Sequence, residues 1–319
     1  MKIYFAPMEG VTDVIYRRVH RACFPGLSKY YIPFISPTQH LTFTSREQTA
    51  VSPAMNAGVP AVPQILTKNA EHFIHTARAL SDAGYDEVNL NLGCPSGTVT
   101  AKGKGSGMLR DLSALAAFLD AVFAAAPCAI SVKTRIGYDS TDEWPALLAL
   151  LSRYPISELT VHPRTRQELY GGSPHREAFA LALESAPFPC VYNGDLRTKA
   201  DCAALLRDYP DTAALMIGRG LVSNPALGRE VMGGAPLSRE DLVSFHDRLL
   251  AAYLQAWPKN AVIGHMLEIM KHISLQFDDA QKPLKALRKA ATLEAYEDAA
   301  RRLLSCPFKD PAAPPAPGD

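Results

Sequence analysis

The sequence predicts an α/β protein: a (β/α)8 TIM barrel followed by a small all-helical C-terminal domain. Three observations predict it. Eight short β-like runs start roughly 24 to 42 residues apart, helical patterns fall between several of them, and strand signals cease after Pro236. Eight β/α units within about 230 residues fit a closed barrel better than an open doubly wound sheet, which has fewer strands and a reversal in their order.

The runs are Lys2–Pro7, Lys29–Ser36, Pro60–Leu66, Glu87–Gly93, Ala129–Arg135, Glu158–Arg164, Cys190–Leu196 and Ala214–Gly220. Between them, Ala70–Ala83 carries Phe73, Ile74, Ala77 and Leu80 on one helical stripe. Leu112–Ala126 is rich in Ala and Leu, and Thr198–Tyr209 follows a Gly-Asp turn. Beyond the barrel, Leu242–Trp257, Ile263–Phe277 and Leu284–Leu304 all show helical spacing. The expected organisation is a barrel domain over 1–235, a helical domain over 236–306 and a proline-rich disordered tail over 307–319.

Composition narrows the function classes. The 319 residues carry 33 Lys+Arg against 32 Asp+Glu, a formal charge of +1, so a nucleic-acid partner has to be met by a local basic patch. The six cysteines are scattered without a C-x-x-C pair, which predicts neither a disulfide framework nor a metal site. A strand-like run begins at Lys2, leaving no room for a secretory leader. The most apolar stretch, Leu112 to Val132, is interrupted by Asp120 and Pro127 and reads as a helix and a strand rather than a membrane span. A reducing, cytoplasmic setting is expected.

Function in a barrel sits where strands end and βα loops begin. Here those ends are polar: Pro7-Met8-Glu9-Gly10, Gln64, Asn89-Leu90-Asn91, Lys133 and Arg135, His162 and Arg164, Asn193-Gly194-Asp195, and Gly218-Arg219-Gly220. Such a ring suits a large, planar, phosphate-bearing ligand, with the glycines and Arg219 of the last two units at the usual phosphate position. Lys133 lies in an apolar run where an ammonium needs an anion, a carbonyl or a covalent role. It can form a Schiff base, donate to the electron-rich edge of a flavin, or make a structural ion pair.

Cys94 stands apart from the other cysteines because it opens a glycine-rich, basic loop at the mouth. A thiol, whose ordinary pKa of about 8.5 keeps it protonated at neutral pH, suits a general acid. The same loop holds Lys102, Lys104 and Arg110 and no acid between residues 94 and 110, and Arg164 and Arg166 follow strand six. Residues 282 to 302 add Lys282, Lys285, Arg288, Lys289, Arg301 and Arg302 against three acids, a balance of +3 able to track phosphates.

Ala6-Pro7-Met8-Glu9-Gly10-Val11-Thr12-Asp13, Asn89-Leu90-Asn91-Leu92-Gly93-Cys94-Pro95, Ser131-Val132-Lys133-Thr134-Arg135, His162-Pro163-Arg164-Thr165-Arg166 and Tyr192-Asn193-Gly194-Asp195 resemble, in order and spacing, the motif series of tRNA-dihydrouridine synthases. The resemblance covers residues 1 to about 235, and the later helices resemble the family's tRNA-binding domain to about residue 305. It implies tightly bound FMN, NADPH as a transient reductant, and reduction of the carbon 5–carbon 6 double bond of a uridine in tRNA. Pro7, Met8, Glu9, Gln64, Lys133, His162, Asn193, Gly194, Asp195, Gly218 and Arg219 would hold the flavin. Asn91 would contact the uracil and Cys94 would give carbon 5 its proton. Lys102, Arg135, Arg164, Arg166, Lys282, Lys285, Arg288 and Lys289 are the expected contacts to tRNA, which is read by a monomer with no obligate protein partner. Pro163 departs from the glycine of many members, with a consequence for how that loop presents Arg164 and Arg166.

Three other functions compete: a Schiff-base aldolase using Lys133, a flavin barrel acting on a small metabolite, and non-catalytic RNA binding. The C-terminal helices argue against the small metabolite. The polar strand ends argue against mere binding.

Overall fold

The structure, a computed structural model, describes residues 1–309. Its strands are β1 (Lys2–Phe5), β2 (Lys29–Ile35), β3 (Ala61–Ile65), β4 (Glu87–Leu92), β5 (Ala129–Arg135), β6 (Leu159–His162), β7 (Cys190–Tyr192) and β8 (Ala214–Ile217). All pair in parallel and in sequence order, and β8 returns to β1 to close the barrel. Each β-like run of the sequence is a strand. Several end early, so that Pro7, Met8, Asn193, Gly194 and Gly218 lie in the loops beyond them. The pairing of β2 with β3 slips between Ile32 and Ile35, where Pro33 has no N–H to offer the ladder.

The helices between strands follow from apolar spacing and caps. Helix Ala70–Asp82 buries Phe73, Thr76, Ala77 and Leu80, and the Asn69 side chain accepts from the His72 N–H at its start. Helix Leu112–Ala124 buries Leu115, Phe118, Leu119 and Val122 behind Asp111, which accepts from Ser113 and Ala114. Helix Lys199–Asp208 opens on a capping box between Thr198 and Asp201. Full burial of each leucine or phenylalanine contributes about 1.5–3 kcal/mol, which outweighs the weak propensity of short helices.

Low in the barrel, Glu158 collects three donors. Tyr4 Oη donates to it at 2.7 Å, Tyr31 Oη at 3.3 Å and Lys29 Nζ at 3.2 Å, while Lys29 also reaches Glu87 at 2.7 Å. Burial, the bond to Glu158 and that carboxylate's charge together push the Tyr4 phenol far up, so it stays a donor.

The chain divides into two compact units, one of residues 1–17 and 27–218, the other of 18–26 and 219–319, the latter described to 309. Besides 18–26, the second unit takes in the short helices Arg219–Ser223 and Leu227–Val231, which lie ahead of position 236 in the chain and cluster with the later helices. Its helix Arg239–Ala256, started by a Ser238–Asp241 capping box, buries Leu242, Phe245, Leu249 and Tyr253. Helix Lys259–Ile273 buries Val262, Met266, Ile269 and Met270. The single helix expected over Leu284–Leu304 is two, Gln281–Lys289 and Leu293–Leu304, with Thr292 capping the second by accepting from Ala295. The expected tail is also corrected at its start. Phe308 bridges to Phe277 with ring centroids 4.9 Å apart, and Lys309 N–H donates to Gln276 at 2.9 Å. Residues 310–319 lie outside the described residues. Among the described residues no helix is long and apolar enough to cross a membrane.

Replacing Glu158 with alanine strands Tyr4, Tyr31 and Lys29 without their shared acceptor. The expected loss is about 3 kcal/mol, read as a lower urea midpoint, with Glu158→Gln losing less.

Candidate active site

The mouth is built on a chain of amides running across three strands. Asn91 Nδ2 donates to Gln64 Oε1 at 2.7 Å, Gln64 Nε2 to Asn89 Oδ1 at 2.8 Å, and Asn89 Nδ2 to Ser131 Oγ at 2.9 Å. Parallel register places Gln64 beside Asn89 and Asn89 beside Ser131, so all four polar side chains are buried and partnered. The free end of Asn91 does further service. Its Oδ1 accepts from Gly93 N–H at 3.1 Å and from Cys94 N–H at 2.9 Å.

Cys94 is half-buried and free, at the head of a loop that folds back on it. Its carbonyl accepts from Ser106 N–H at 3.2 Å and from Ser106 Oγ at 2.9 Å. The return needs glycine: Gly105 has φ +58°, and a Cβ there would lie 2.9 Å from the Cys94 carbonyl oxygen and 3.1 Å from its Cβ.

Lys133 pairs with Asn91 in the β4–β5 register, one strand from the Cys94 loop. Its side chain makes no hydrogen bond among the described residues, and removal from water together with nearby Arg135 lowers its pKa to about 7. Cys94 acts on it in the opposite sense, which places thiol and ammonium in one neighbourhood. Arg135 is buried, donating from Nε to Gly93 at 3.1 Å and from Nη1 to Thr165 at 2.7 Å, with its guanidinium 5.3 Å from the centroid of the Tyr170 ring. Burial lowers its pKa to about 10.

Arg164 corrects the expectation of a rim cation. It is fully buried and turned inward, paired with Asp195, and donates to the carbonyls of Gly171 and Gly172 and to His162 Nε2 at 3.2 Å. Pro163 packs inward too: its carbonyl accepts from His175 at 2.7 Å, and its Cδ would lie 3.5 Å from a Cβ at Gly194. The same Cβ would lie 3.5 Å from His162 Cδ2. Asn193 Nδ2 donates to the Met216 carbonyl at 2.8 Å, and a Cβ on Gly218 would sit 3.1 Å from Met8 Sδ. Strand ends one, six, seven and eight thus meet closely. Glu9 is exposed and paired with Arg46, and Pro7 is half-buried.

On the rim Lys102 is exposed, while Arg166 lies 5.4 Å from the centroid of the Tyr138 ring and donates to Thr100 Oγ1 at 3.3 Å. Arg110 covers the same ring at 4.0 Å and donates to the Tyr138 hydroxyl at 2.7 Å. In the second unit Lys282, Lys285, Arg288 and Lys289 are all exposed on helix Gln281–Lys289, whose buried side is held by Leu287. Arg219 is half-buried and opens that unit.

The sequence model of the dihydrouridine synthase (Dus) family matches residues 4–309. The chain belongs to the dihydrouridine synthase family. The probable tRNA-dihydrouridine synthase 2 of Bacillus subtilis (strain 168) is 32% identical over 258 residues, spanning 76% of this chain and 75% of the relative. The tRNA-dihydrouridine synthase B of Pasteurella multocida (strain Pm70) is 28% identical over 229 residues, spanning 72% and 68%. Among solved structures, the old yellow enzyme homologue from Zymomonas mobilis shares the fold at TM-score 0.54 and 14% identity, over 76% of this chain and 92% of that one. The old yellow enzyme from Trypanosoma cruzi does so at TM-score 0.53 and 11% identity, over 81% and 94%. Membership in the dihydrouridine synthase family carries the reaction class, an oxidoreductase acting on a CH–CH bond, and sets aside the aldolase alternative.

Sequence reasoning missed Lys68, Tyr170 and the Glu168–His175 pair. Tyr170 is an exposed aromatic beside two glycines, its ring centroid 6.1 Å from that of His162, and the Leu-Tyr-Gly-Gly string was the available signal. Glu168 closes that loop, accepting from Thr165 N–H at 2.6 Å and bonding His175 Nε2 at 2.6 Å.

Two outcomes follow for the mouth of this dihydrouridine synthase family member. Gly105→Ala drives a methyl into the Cys94 carbonyl at a left-handed φ; the loop shifts, and thiol labelling at Cys94 changes rate while the barrel's circular dichroism is retained. The second concerns pH. The bond to Glu168 raises the His175 pKa above its usual 6.5, so its contribution is complete below that value and is lost as pH rises through the raised pKa. Burial pushes the Glu168 pKa up, but the Thr165 amide and His175 outweigh it and hold it low, so its share fails only in acid. Amide protection of residues 166–172, corrected for intrinsic exchange, should fall as pH rises through that window and be insensitive to it in His175→Gln.

Proposed function

We propose that this chain reduces the carbon 5–carbon 6 double bond of a uridine in the D-loop of tRNA, with tightly bound FMN at the barrel mouth, NADPH as transient reductant and Cys94 as proton donor. The observation that carries the reading is one juxtaposition. A cation without a hydrogen-bonding partner, Lys133, and a free thiol, Cys94, are presented by adjacent strands above a buried amide chain.

The residues present fit a flavin. Lys133 has three N–H bonds to give, and Gln64 retains one N–H and one lone pair after its two bonds. Those are the groups that a ring edge of carbonyls and N–H calls for. Met8, His162, Asn193, Gly194 and Gly218 line the closely packed ends of strands one, six, seven and eight, beside Pro7, with Asp195 clamped by Arg164. A flavin held there supplies the hydride.

The chain's own groups do the rest. Asn91 fixes the backbone of Cys94, and Ser106 fixes its carbonyl, so the thiol is held at the head of its loop. Cys94 Sγ then gives its proton to carbon 5 as hydride arrives at carbon 6, and the thiolate regains a proton from solvent. Asn91 has an N–H left for the uracil, and Arg135 holds the Gly93 carbonyl just before Cys94. Lys102 and Arg166 on the rim, and Lys282, Lys285, Arg288 and Lys289 on the helical unit, offer charge to the phosphates. The division of labour is a catalytic barrel and a tRNA-binding helical region. The enzyme works in the cytoplasm as a monomer.

Cys94→Ala tests the assignment. It should bind tRNA and have its flavin reduced by NADPH at the normal rate, while base reduction slows at least ~10²-fold. An equal loss in both half-reactions would count against Cys94. Purified protein that is colourless and takes up no FMN would sink the whole reading.

A further inference from the structure

Three lysines from two loops converge at one edge of the barrel mouth. Lys68 follows β3, and Lys102 and Lys104 lie on the loop after β4 that begins with Cys94. Lys68 lies over the turn between the other two: a Cβ at Gly103 would come within 3.4 Å of Lys68 Nζ, and the φ of +67° there turns the chain. Lys104 is half-buried and tethered, its Nζ donating to Ser36 Oγ at 2.9 Å. No carboxylate pairs with any of the three among the described residues. Their mutual repulsion is felt. Burial, then Lys102 and Lys68, lower the Lys104 pKa below its usual value.

Surface lysines ordinarily swing apart or find acids, because like charges held close destabilise the fold. Here a serine bond fixes Lys104, and the turn at Gly103 lies against Lys68, with no carboxylate among the described residues to compensate them. That arrangement is repaid when an anion arrives. Lysines act as separate point charges rather than as a fork, which suits successive oxygens along a polymer more than one chelated group. The position matters as well. Ser106, two residues after Lys104, is the residue that grips the Cys94 carbonyl, so charge held at the lysines and the thiol share one short loop. A base drawn from its stack costs a few kcal/mol, and grip on the adjacent backbone offsets it.

We propose that Lys68, Lys102 and Lys104 form a phosphate-binding site for the RNA backbone, seating the phosphodiester next to the nucleotide presented to Cys94. This rests on the tRNA reading above and adds to it a site with its own members, Lys68 foremost.

The test uses full-length, flavin-loaded protein and an unmodified tRNA transcript, with binding measured by fluorescence anisotropy across about 0.05 to 0.2 M salt. The triple variant Lys68→Gln, Lys102→Gln, Lys104→Gln should bind roughly 10-fold more weakly, with the slope of log affinity against log salt reduced by about 1 to 2. Lys68→Gln alone should show part of both effects. Melting temperature should hold or rise, since repulsion is removed, and affinity for NADP+ should be unchanged. Unchanged tRNA affinity and slope would overturn the site while leaving the tRNA reading intact. A lower melting temperature with the slope retained would make the lysines structural and overturn it. Weaker NADP+ binding with tRNA binding retained would assign them to a dinucleotide phosphate and overturn it. Wild-type protein that binds no tRNA would bring down the broader reading as well.

Discussion

A buried amide has to be satisfied at both ends, and the mouth of this barrel depends on one that is. Asn91 gives its N–H to Gln64, inside the barrel, and its oxygen to the first two N–H groups of the Cys94 loop. An unmet buried donor or acceptor costs about 1–3 kcal/mol, so each link from Ser131 through Asn89 and Gln64 specifies the next. The strands are thereby held in register at the level where chemistry is placed. The position of the thiol is a property of three strands, not of its own flexible loop.

Around that frame the charges are unbalanced. Asp195 sits at φ +43°, a left-handed conformation that a non-glycine residue holds only when its surroundings insist, and buried Arg164 pairs with its carboxylate. That pair uses up the carboxylate of the β7 end. Burial then lowers the pKa of Lys133 to about 7, with Arg135 adding to it, and that of Arg135 to about 10, with Arg164 adding to it. A lysine lowered in this way gives up its proton more readily than one in water. Any anionic or carbonyl-rich edge brought to it shifts it toward the ammonium, so binding and protonation are coupled at this position.

The eight strands were legible because a parallel sheet covered on both faces reads as short apolar runs, and the polar strand ends were legible because polarity there breaks the run. What could not be read was direction. Arg164 and Arg166 look alike in the sequence, yet one is buried against Asp195, 31 residues away, and the other lies over Tyr138. Lys68 is an ordinary lysine until the loop after β4 folds beneath it. Composition misled at the chain's end, where a proline-rich average hid Phe308, the one aromatic that packs. The break between the last two helices had a local sign, Thr292 ahead of Leu293 and Glu294, outweighed by the continuing apolar period on either side.

Net charge matters less than spacing in such a molecule. With +1 overall, the far field offers an RNA almost nothing, and at physiological salt each cation is felt only within about 8 Å. Attraction must therefore be assembled site by site. The helix Gln281–Lys289 carries four exposed cations and no acid, and the barrel rim carries its own cluster, each in a separate unit. Two short-ranged sites joined by one chain raise the local concentration of each for a polymer already held by the other. A balanced surface with local clusters gains affinity for a long anion that presents phosphates to both, and little for a small one that can reach only one. On the tRNA reading proposed above, that difference would favour a folded RNA over a free nucleotide without any base being read.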